Sequence, residues 1–211
     1  MKLTELTAAA FSQAVASDAP APGGGSVAAL TAAHGAALTA MVAGLTLGRK
    51  KYAEAAENAA AVQQRCLELQ RQLLEMTDRD TEAYHAVSAA FALPKGTEEE
   101  KAARTAAIQA GLRQCTESPL RVMSLTARAV DEACALLQGG YNTSAASDLA
   151  VAFLTLRAGL LGAWCNVRIN VGSLQDAAYA ARARQQGQEL LLCALGAAEA
   201  GYERLSHTLE A

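Results

Sequence analysis

The feature that most constrains the fold is an apolar stripe in the region 53–92. Apolar side chains recur there at alternating steps of four and three residues, which places them on one face of an α-helix. The stripe comprises Val62, Cys66, Leu69, Leu73, Met76, Ala83, Val87 and Ala90. Its spacing stays regular only if position 80, an aspartate, is counted as a member. The pattern therefore predicts a long packed helix whose buried face carries one carboxylate.

Composition extends the helical prediction to the whole chain. Alanine supplies 51 of the 211 residues, and only nine residues are aromatic. Because alanine is the best helix former and fills the surface of a sheet poorly, an all-β fold is excluded. Breaks at proline and glycine predict helices over 4–17, 26–47, 53–92, 98–116, 119–139, 143–171 and 175–208. We expect an all-α bundle of about six or seven mostly long, antiparallel helices, forming one domain over residues 1–211.

Charge and cysteine content exclude several kinds of partner. Eighteen basic residues face 21 acidic ones, a net charge of −3 with no basic block, so no nucleic-acid partner is expected. The five cysteines form no CxxC pair, which predicts buried free thiols in a reducing, cytoplasmic compartment and no metal site. The uncharged segment 26–47 is long enough to span a bilayer, but its many alanines favour a buried helix, and no membrane is expected.

Asp80 departs most clearly from its local pattern. A carboxylate on a core-facing stripe costs free energy unless it is paired or protonated. Burial raises the pKa of a carboxyl group, and proteins obtain in this way an acid or base that works near neutral pH. Two interpretations stay open: Asp80 is a functional acid/base, or it pairs with an arginine or caps a neighbouring helix. Asp78 lies about 200° around the helix from Asp80, off the stripe.

A glycine-rich turn precedes the uncharged helix. The segment 20–26, with the sequence PAPGGGS, interrupts regular structure and then opens a helix. Main-chain N–H groups at such a helix start can hold an anion or a carboxylate. The alternative is a hinge imposed by the two prolines. The turn is neither a Walker loop nor a dinucleotide-binding fingerprint, because no Gly-Lys-Ser/Thr follows it and no strand precedes it.

Two polar clusters lie on the predicted helix 143–171. Ser147 and Asp148 fall in its first turn, where they either bind a ligand or interact with the first-turn amides. Asn166 and Asn170 are one turn apart on a face of small residues. Because amides in a helix core are costly without partners, we expect these asparagines to bond each other, a neighbouring main chain or a ligand.

Taken together, these features resemble the formiminotransferase-cyclodeaminase C-terminal domain family, which includes stand-alone bacterial methenyltetrahydrofolate cyclohydrolases. The matching blocks follow the family's order and span nearly the whole chain. They are APAPGGGSVAA at 19–29, Met41-Val42, GRKKY at 48–52, DRD at 78–80 with Ala83-Tyr84, LPK at 93–95 with Glu99-Glu100-Lys101 and Arg104, SDL at 147–149 and NVRIN at 166–170.

The resemblance implies an all-helical homodimer that binds folate near the dimer interface and acts at N5 and N10 of tetrahydrofolate. A tetrahydrofolate derivative is then the substrate, and no metal is expected. The main expectation is formimidoyltetrahydrofolate cyclodeaminase activity, in which N10 attacks the formimino carbon and ammonia leaves. The first alternative is 5,10-methenyltetrahydrofolate cyclohydrolase activity, in which water adds to the methenyl carbon. The second is a folate-binding helical dimer without catalysis.

The resemblance also assigns site residues. The family's catalytic aspartate falls in the block 78–80, so Asp80 and Asp78 are the candidate catalytic residues, and Asp80 is preferred because it alone lies on the stripe. The expected substrate contacts are Gly23, Gly24, Gly25, Ser26, Lys95, Arg104, Ser147, Asp148, Asn166 and Asn170. Lys95, Arg104 and the basic segment 49–51 are assigned to the glutamyl carboxylates of folate, against the alternative of an ordinary solvated surface.

Overall fold

The computed structural model describes residues 2–210, and helices account for most of this part of the chain. Its six α-helices are α1 (Ala8–Val15), α2 (Gly24–Thr46), α3 (Ala56–Phe91), α4 (Glu98–Gly139), α5 (Ala146–Val171) and α6 (Ala177–Glu210). Short 3-10 turns cover Leu3–Glu5, Lys50–Ala55 and Thr143–Ala145. Residues 2–210 contain no strand, and the all-α prediction is confirmed.

The long helices form a bundle in which consecutive helices run antiparallel. α2 packs mainly against α3 and α5, and α4 packs against α3, α5 and α6. Contacts at the two ends of α2 show that α3 runs in the opposite direction. Gly25, near the start of α2, faces Asp80 in the second half of α3, whereas Gly44, near the end of α2, faces Gln63 in the first half. The start of α2 therefore lies beside the second half of α3.

The apolar stripe of α3 is buried, as its spacing predicts. Every member of the stripe from Val62 to Ala90 belongs to the buried core, with the side chains of Val62, Cys66 and Leu73 fully enclosed. The face that carries these residues turns toward α2 and α4. Asp80 occupies the same face and is therefore carried into the interior of the bundle by its helix.

Small residues allow α2 and α5 to approach closely. A β-carbon at Gly159 would lie 2.7 Å from Cβ of Ala32 and 2.9 Å from the main-chain oxygen of Ala28. A β-carbon at Gly162 would lie 3.0 Å from Cβ of Ala28. The bulky side chains of α5 instead fill the core, among them Leu149, Phe153, Leu156, Leu160 and Val167. The predicted division of this helix into a small and a bulky face is confirmed.

The predicted break between residues 116 and 119 is wrong. α4 runs without interruption from Glu98 to Gly139, with Pro119 inside it. Proline lacks the N–H that would bond the carbonyl four residues earlier, which belongs to Cys115. Asn170 of α5 supplies the missing donor, because its Nδ2 lies 2.6 Å from the Cys115 oxygen. A side chain from another helix thus fills the gap in the hydrogen-bond ladder, and α4 continues.

Two segments are long and apolar enough to cross a membrane by length and composition alone, Gly24–Thr46 and Thr143–Val171. In the bundle they pack against each other, and Ala29, Ala32 and Ala36 of α2 are completely buried. Helix–helix packing therefore accounts for about half of each apolar segment, 56% of the first and 44% of the second being buried.

The five cysteines are free thiols, but they are not all buried. Cys66 lies in the core, whereas Cys165 and Cys193 are exposed. The prediction of uniformly buried thiols is wrong because these two residues fall on the outer faces of α5 and α6.

Candidate active site

The candidate site lies where Asp80 of α3 meets the first turn of α2. α2 begins at Gly24, and Gly23 precedes it in an extended conformation as the capping residue. Ser26, in the first turn, donates a hydrogen bond from Oγ to Oδ2 of Asp80 over 3.1 Å. Asp80 thus bonds a residue in the first turn of a neighbouring helix. Both interpretations open from the sequence, a functional acid/base and a structural contact, are compatible with this bond.

The protein environment raises the pKa of the Asp80 carboxyl group above the value of the same group in water, which favours the neutral form. Burial raises the pKa of this carboxyl group, while hydrogen bonds from the side chain and main chain of Ser26 lower it, and burial is the larger effect. Asp80 forms no salt bridge with any Lys, Arg or His in residues 2–210. A partly buried carboxyl group with a raised pKa can exchange protons with a substrate near neutral pH.

Four helices converge on this carboxylate. Gly24 of α2 lies beside Asn166 of α5, since a β-carbon on Gly24 would be 3.6 Å from Nδ2 of Asn166. Cys115 of α4 is close enough for the charge of Asp80 to act on it, and burial together with that charge raises the pKa of the Cys115 thiol to about 11. The site is therefore formed by α2, α3, α4 and α5 and is lined by few ionisable groups.

The two asparagines bond neighbouring main-chain groups, which was one of the expected possibilities. Nδ2 of Asn166 donates to the oxygen of Gly162 over 2.9 Å, one turn earlier in α5. Nδ2 of Asn170 donates to Cys115, as described above. The amide of Asn166 lies beside Gly24, whereas Asn170 completes α4.

Asp78 is placed away from Asp80 and is already engaged. Its Oδ1 accepts a hydrogen bond of 2.6 Å from the main chain of Leu3, and its Oδ2 accepts one of 2.9 Å from Oγ1 of Thr4. These contacts attach the N-terminal turn to α3. The structure therefore does not bring the two aspartates together, and it gives Asp78 a structural contact.

Lys95 and Arg104 lie at the tip of the hairpin formed by α3 and α4. Lys95 is exposed in the connecting loop. Arg104 donates from Nε and Nη2 to the oxygen of Phe91, at 3.3 and 3.0 Å, and its guanidinium lies over the ring of Phe91. Phe91 is eleven residues beyond Asp80, so the tip is roughly 16 Å from the carboxylate along α3.

Ser147 and Asp148 lie at the opposite end of α2. Asn142, which precedes them, donates from Nδ2 to the oxygen of Leu45 over 3.2 Å, and its main-chain N–H bonds Oγ1 of Thr46. The first turn of α5 is therefore fixed near the C-terminal end of α2, roughly 30 Å from Asp80. The basic segment 49–51 also follows this end of α2. Within one chain, the structure does not unite these residues with Asp80.

Sequence patterns did not single out two residues near the carboxylate. Oγ1 of Thr81 lies 3.2 Å from Oγ of Ser26, and Cys115 approaches Asp80 from α4. Thr81 follows Asp80 directly but lies off the stripe, and Cys115 has no motif around it. The sequence offers one indication for Cys115: it lies four residues before Pro119, so its carbonyl oxygen lacks the usual helical donor.

Asp80 is not among the residues that line the main surface cavities of the described chain, although its neighbours Arg79, Glu82 and Ala83 line one of them. Five surface cavities with volumes of about 360 to 690 Å³ are lined by other residues of the described chain. Residues 2–210 contain no group of three or more His, Cys, Asp or Glu side chains arranged for a metal ion. The expectation of a metal-free site stays a prediction.

The sequence matches the formiminotransferase-cyclodeaminase family model over residues 7–189. The chain belongs to this family. It is 41% identical over 202 residues to methenyltetrahydrofolate cyclohydrolase from Methylorubrum extorquens, covering 95% of this chain and 94% of that protein. It is also 36% identical over 189 residues to formimidoyltransferase-cyclodeaminase from Rattus norvegicus, covering 90% of this chain. The chain spans 35% of the length of the rat protein.

A solved member of the family has the same architecture. The crystal structure of formiminotetrahydrofolate cyclodeaminase from Thermotoga maritima superposes with a TM-score of 0.83 at 25% identity, covering 99% of this chain and 98% of that chain. The family predicted from the blocks around Asp80 and the glycine turn is confirmed. The cyclohydrolase match extends over nearly all of both chains, and it favours the alternative activity over the main expectation.

Proposed function

We propose that this member of the family is a cytoplasmic 5,10-methenyltetrahydrofolate cyclohydrolase in which Asp80 is the general acid/base. The observation that carries the proposal is the position of Asp80: a partly buried carboxylate with a raised pKa, without an ionic partner among the described residues, beside the first turn of α2. The extensive similarity to the Methylorubrum extorquens cyclohydrolase supports the choice of substrate.

The reaction requires two proton transfers that one carboxyl group can perform in sequence. Water adds to the cationic methenyl carbon, and Asp80 accepts one proton of that water, which gives a neutral hydroxymethylene bridge between N5 and N10. Protonated Asp80 then delivers its proton to N5 as the bond between N5 and the carbon breaks. The hydroxyl group loses its proton to solvent and becomes the carbonyl of 10-formyltetrahydrofolate. The net result consumes one water and releases one proton. A carboxylate beside the methenyl cation also stabilises its positive charge.

The geometry around Asp80 supports a set of further proposed substrate contacts. The first turn of α2, with Gly23 and Gly24, offers main-chain donors beside the amide of Asn166, and these groups suit the polar edge of a pterin. Lys95 and Arg104 carry positive charge at the hairpin tip, roughly 16 Å further along α3. An extended folate with its pterin at Asp80 would direct its glutamyl carboxylates toward this tip.

The absorbance of methenyltetrahydrofolate tests the proposal directly. We expect purified protein to accelerate the loss of this absorbance at neutral pH, with 10-formyltetrahydrofolate as the product identified by chromatography. Asp80→Asn should abolish the acceleration while folate binding, followed by calorimetry, persists. Tight binding of folate by the unaltered protein without any turnover would instead support a non-catalytic folate-binding dimer.

Formimidoyltetrahydrofolate cyclodeaminase activity is the second candidate. The Thermotoga maritima relative bears this name, and it resembles the chain over nearly its full length. In this reaction N10 attacks the carbon of the protonated formimino group, Asp80 accepts the N10 proton and passes it to the resulting amino group, and that group leaves as ammonia, which gives the methenyl cation. Supplying formimidoyltetrahydrofolate and measuring both ammonia and the rise of methenyltetrahydrofolate absorbance separates the two activities, since a cyclohydrolase alone releases no ammonia.

The active form in this proposal is a homodimer, with α2 and α5 at the interface. The outer faces of these helices expose Met41 and Leu45 of α2 and Val151 and Leu154 of α5, each more than a third exposed. Exposed apolar side chains on two helices that pack side by side favour an interface at this face. A second copy would also add side chains around the candidate site.

A two-fold axis perpendicular to α2 would bring the two ends of this helix, from different copies, next to each other. In an isologous dimer of this kind, the C-terminal end of α2 in one copy lies against the N-terminal end in the other. Ser147 and Asp148 of the second copy would then approach Asp80 of the first. This arrangement explains how polar clusters roughly 30 Å apart in one chain can contribute to one site.

Intersubunit complementation tests the composite site. Asp80→Asn and Asp148→Asn proteins should each be inactive, but mixed subunits should recover about a quarter of wild-type activity, because half the dimers are mixed and each has one intact site of two. Mixing Asp80→Asn with Gly25→Ala should recover none, because both changes damage the same half-site. Full activity of Asp148→Asn alone would contradict its assignment.

Light scattering tests the dimer itself. Leu154→Glu should convert the dimer to an inactive monomer, whereas Leu67→Glu, at a position on α3 that is 50% exposed, should leave the mass and activity unchanged. An active monomer in the unaltered protein would overturn the interface.

A further inference from the structure

We propose that Ser26 and Thr81 form a relay of two hydroxyl groups that orients the Asp80 carboxylate and adapts to its protonation state. Both are positioning residues in this scheme and neither contacts the substrate. The inference rests on the proposed role of Asp80 as general acid/base. It revises the expected role of Ser26 and assigns a role to Thr81.

Two hydrogen bonds connect the side chains of Asp80, Ser26 and Thr81, with Ser26 in the middle. Oγ of Ser26 lies 3.1 Å from Oδ2 of Asp80 and 3.2 Å from Oγ1 of Thr81. Ser26 is 0% exposed, so its hydroxyl is inaccessible to a substrate and available only to these neighbours. Oδ1 of Asp80 lies beside the Cα of Gly25, where no β-carbon stands between them.

The direction of each hydrogen bond follows from the number of protons. A hydroxyl group has one proton to donate and two lone pairs to accept, and an ionised carboxylate can only accept. With Asp80 ionised, Ser26 must donate to Oδ2, and Thr81 must then donate to Ser26. With Asp80 protonated at Oδ2, the bonds reverse: Asp80 donates to Ser26, and Ser26 donates to Thr81. Rotation of two hydroxyl groups therefore accommodates both states without moving the carboxylate.

The groups that face Asp80 from the neighbouring helices carry no formal charge at neutral pH. α2 presents Ser26 and glycine main chain, and α4 presents the Cys115 thiol, whose pKa is raised to about 11. The nearest group of α5 given by these contacts is the uncharged amide of Asn166, which lies beside Gly24. On α3 itself, Asp78 is bound to the N-terminal turn, and Arg79 and Glu82 are exposed. The hydrogen bonds of Ser26 are therefore the main local support for the ionised form of Asp80.

The relay predicts that removing either hydroxyl raises the pKa of Asp80, because the ionised form loses a donor. Carbon-13 NMR titration of the labelled carboxyl group measures this pKa without requiring catalysis. For Ser26→Ala we expect an upward shift of about one pKa unit, and for Thr81→Val a smaller shift in the same direction. The acid limb of the pH profile of kcat/KM should move upward with the titration.

Two matched variants serve as controls. Thr81→Ser keeps the hydroxyl group and should retain the pKa of the unaltered protein. Thr77→Val removes a hydroxyl one turn earlier on α3, where Oγ1 bonds the main-chain oxygen of Leu73, and should leave the pKa unchanged. If Ser26→Ala does not fold, the variants at the partly buried Thr81 still test the relay. The pKa of Asp80 should rise in Thr81→Val and stay unchanged in Thr81→Ser.

The outcomes separate this inference from the proposed function. An unchanged Asp80 pKa in folded Ser26→Ala or Thr81→Val protein overturns the relay, even if Asp80→Asn is inactive. Full activity of Asp80→Asn overturns the role of Asp80 in catalysis, whatever the NMR titration shows. A shifted pKa in both hydroxyl variants, with unchanged values in both controls, supports the relay.

Discussion

A β-carbon on residue 25 would lie 2.1 Å from Oδ1 of Asp80 and 2.6 Å from Oδ2, so the carboxylate occupies space that is free only because residue 25 is glycine. The third glycine of the turn is therefore required by packing. The sequence predicts an anion-binding loop or a hinge at this turn. In the single chain, the carboxyl group of Asp80 occupies the space beside its third glycine.

Gly25→Ala tests this contact. The added methyl group should displace Asp80, destabilise the fold by about 1–3 kcal/mol and strongly reduce turnover. Thermal unfolding and the loss of methenyltetrahydrofolate absorbance measure the two effects. Gly196→Ala is the control, because a β-carbon there meets nothing within 4 Å. That change should stabilise α6 by about 0.5–1 kcal/mol and leave activity intact.

Asp80→Asn tests the chemical role of the carboxyl group with little change in shape. Loss of a general acid/base should lower kcat/KM by about 10²- to 10⁴-fold. Steady-state kinetics on methenyltetrahydrofolate measure the loss, and circular dichroism verifies the fold. An Asp80→Asn protein within twofold of normal turnover would remove Asp80 from the mechanism.

The same variant should be more stable than the unaltered protein at neutral pH. Burial raises the pKa of Asp80 in the folded state above its unfolded value. Stability from a raised carboxyl pKa is fully present below the unfolded value and is lost as pH rises through the folded value. The Asp80→Asn protein does not lose stability in this way, because its amide does not titrate. The difference in the free energy of unfolding between the two proteins should therefore be largest at neutral pH and vanish in acid. Denaturant titrations at several pH values test the trend, and a difference independent of pH would contradict it.

A double-mutant cycle tests the bond between Asn170 and Cys115. Asn170→Ala should cost about 1–3 kcal/mol, because it leaves a buried carbonyl without a donor. In the background of Pro119→Ala, the main chain of residue 119 regains an N–H that can bond the Cys115 oxygen. The cost of Asn170→Ala should therefore fall by about 1 kcal/mol or more in that background. Equal costs in both backgrounds would mean that Asn170 acts through other contacts.

Lys95 at the hairpin tip is expected to act in binding. Lys95→Ala should raise KM by about two- to fivefold, since an exposed charge contributes roughly 0.5–1 kcal/mol to an ion pair, and it should leave kcat unchanged. The effect should weaken at high salt, because salt screens exposed charges. Lys95→Arg should restore KM, and a fall in kcat with constant KM would argue against carboxylate recognition at this tip.

Periodic local patterns predicted the features of the fold that depend on single helices. The stripe from Val62 to Ala90 and the small face of α5 around Gly159 could both be predicted, because burial repeats with the helix period. The continuity of α4 could not, since it depends on Asn170, which is distant in sequence from Pro119. Propensity identified Pro119 as a break, and a tertiary hydrogen bond overrode it.

In the candidate site too, local patterns predict some residues, whereas others depend on contacts between distant parts of the chain. Asp80 could be predicted because a polar residue interrupted a regular stripe, and its proximity to the glycine turn agrees with the family blocks. Thr81 could not be predicted, because a threonine on a helix is unremarkable until its hydroxyl is placed beside Ser26. The distance of Ser147 and Asp148 from Asp80 follows from the antiparallel packing of α2 and α5, which no local pattern encodes.

The hydrogen bond from Asn170 to Cys115 also bears on the order in which the chain matures on the ribosome. Its donor is synthesised 55 residues after its acceptor, so α4 is synthesised before the side chain that fills the gap in its hydrogen-bond ladder. The same helix, α5, carries Asn166, which lies beside Gly24 at the start of α2. The residue that completes α4 and a residue of the candidate site therefore come from one helix, which is made late in the synthesis of this protein.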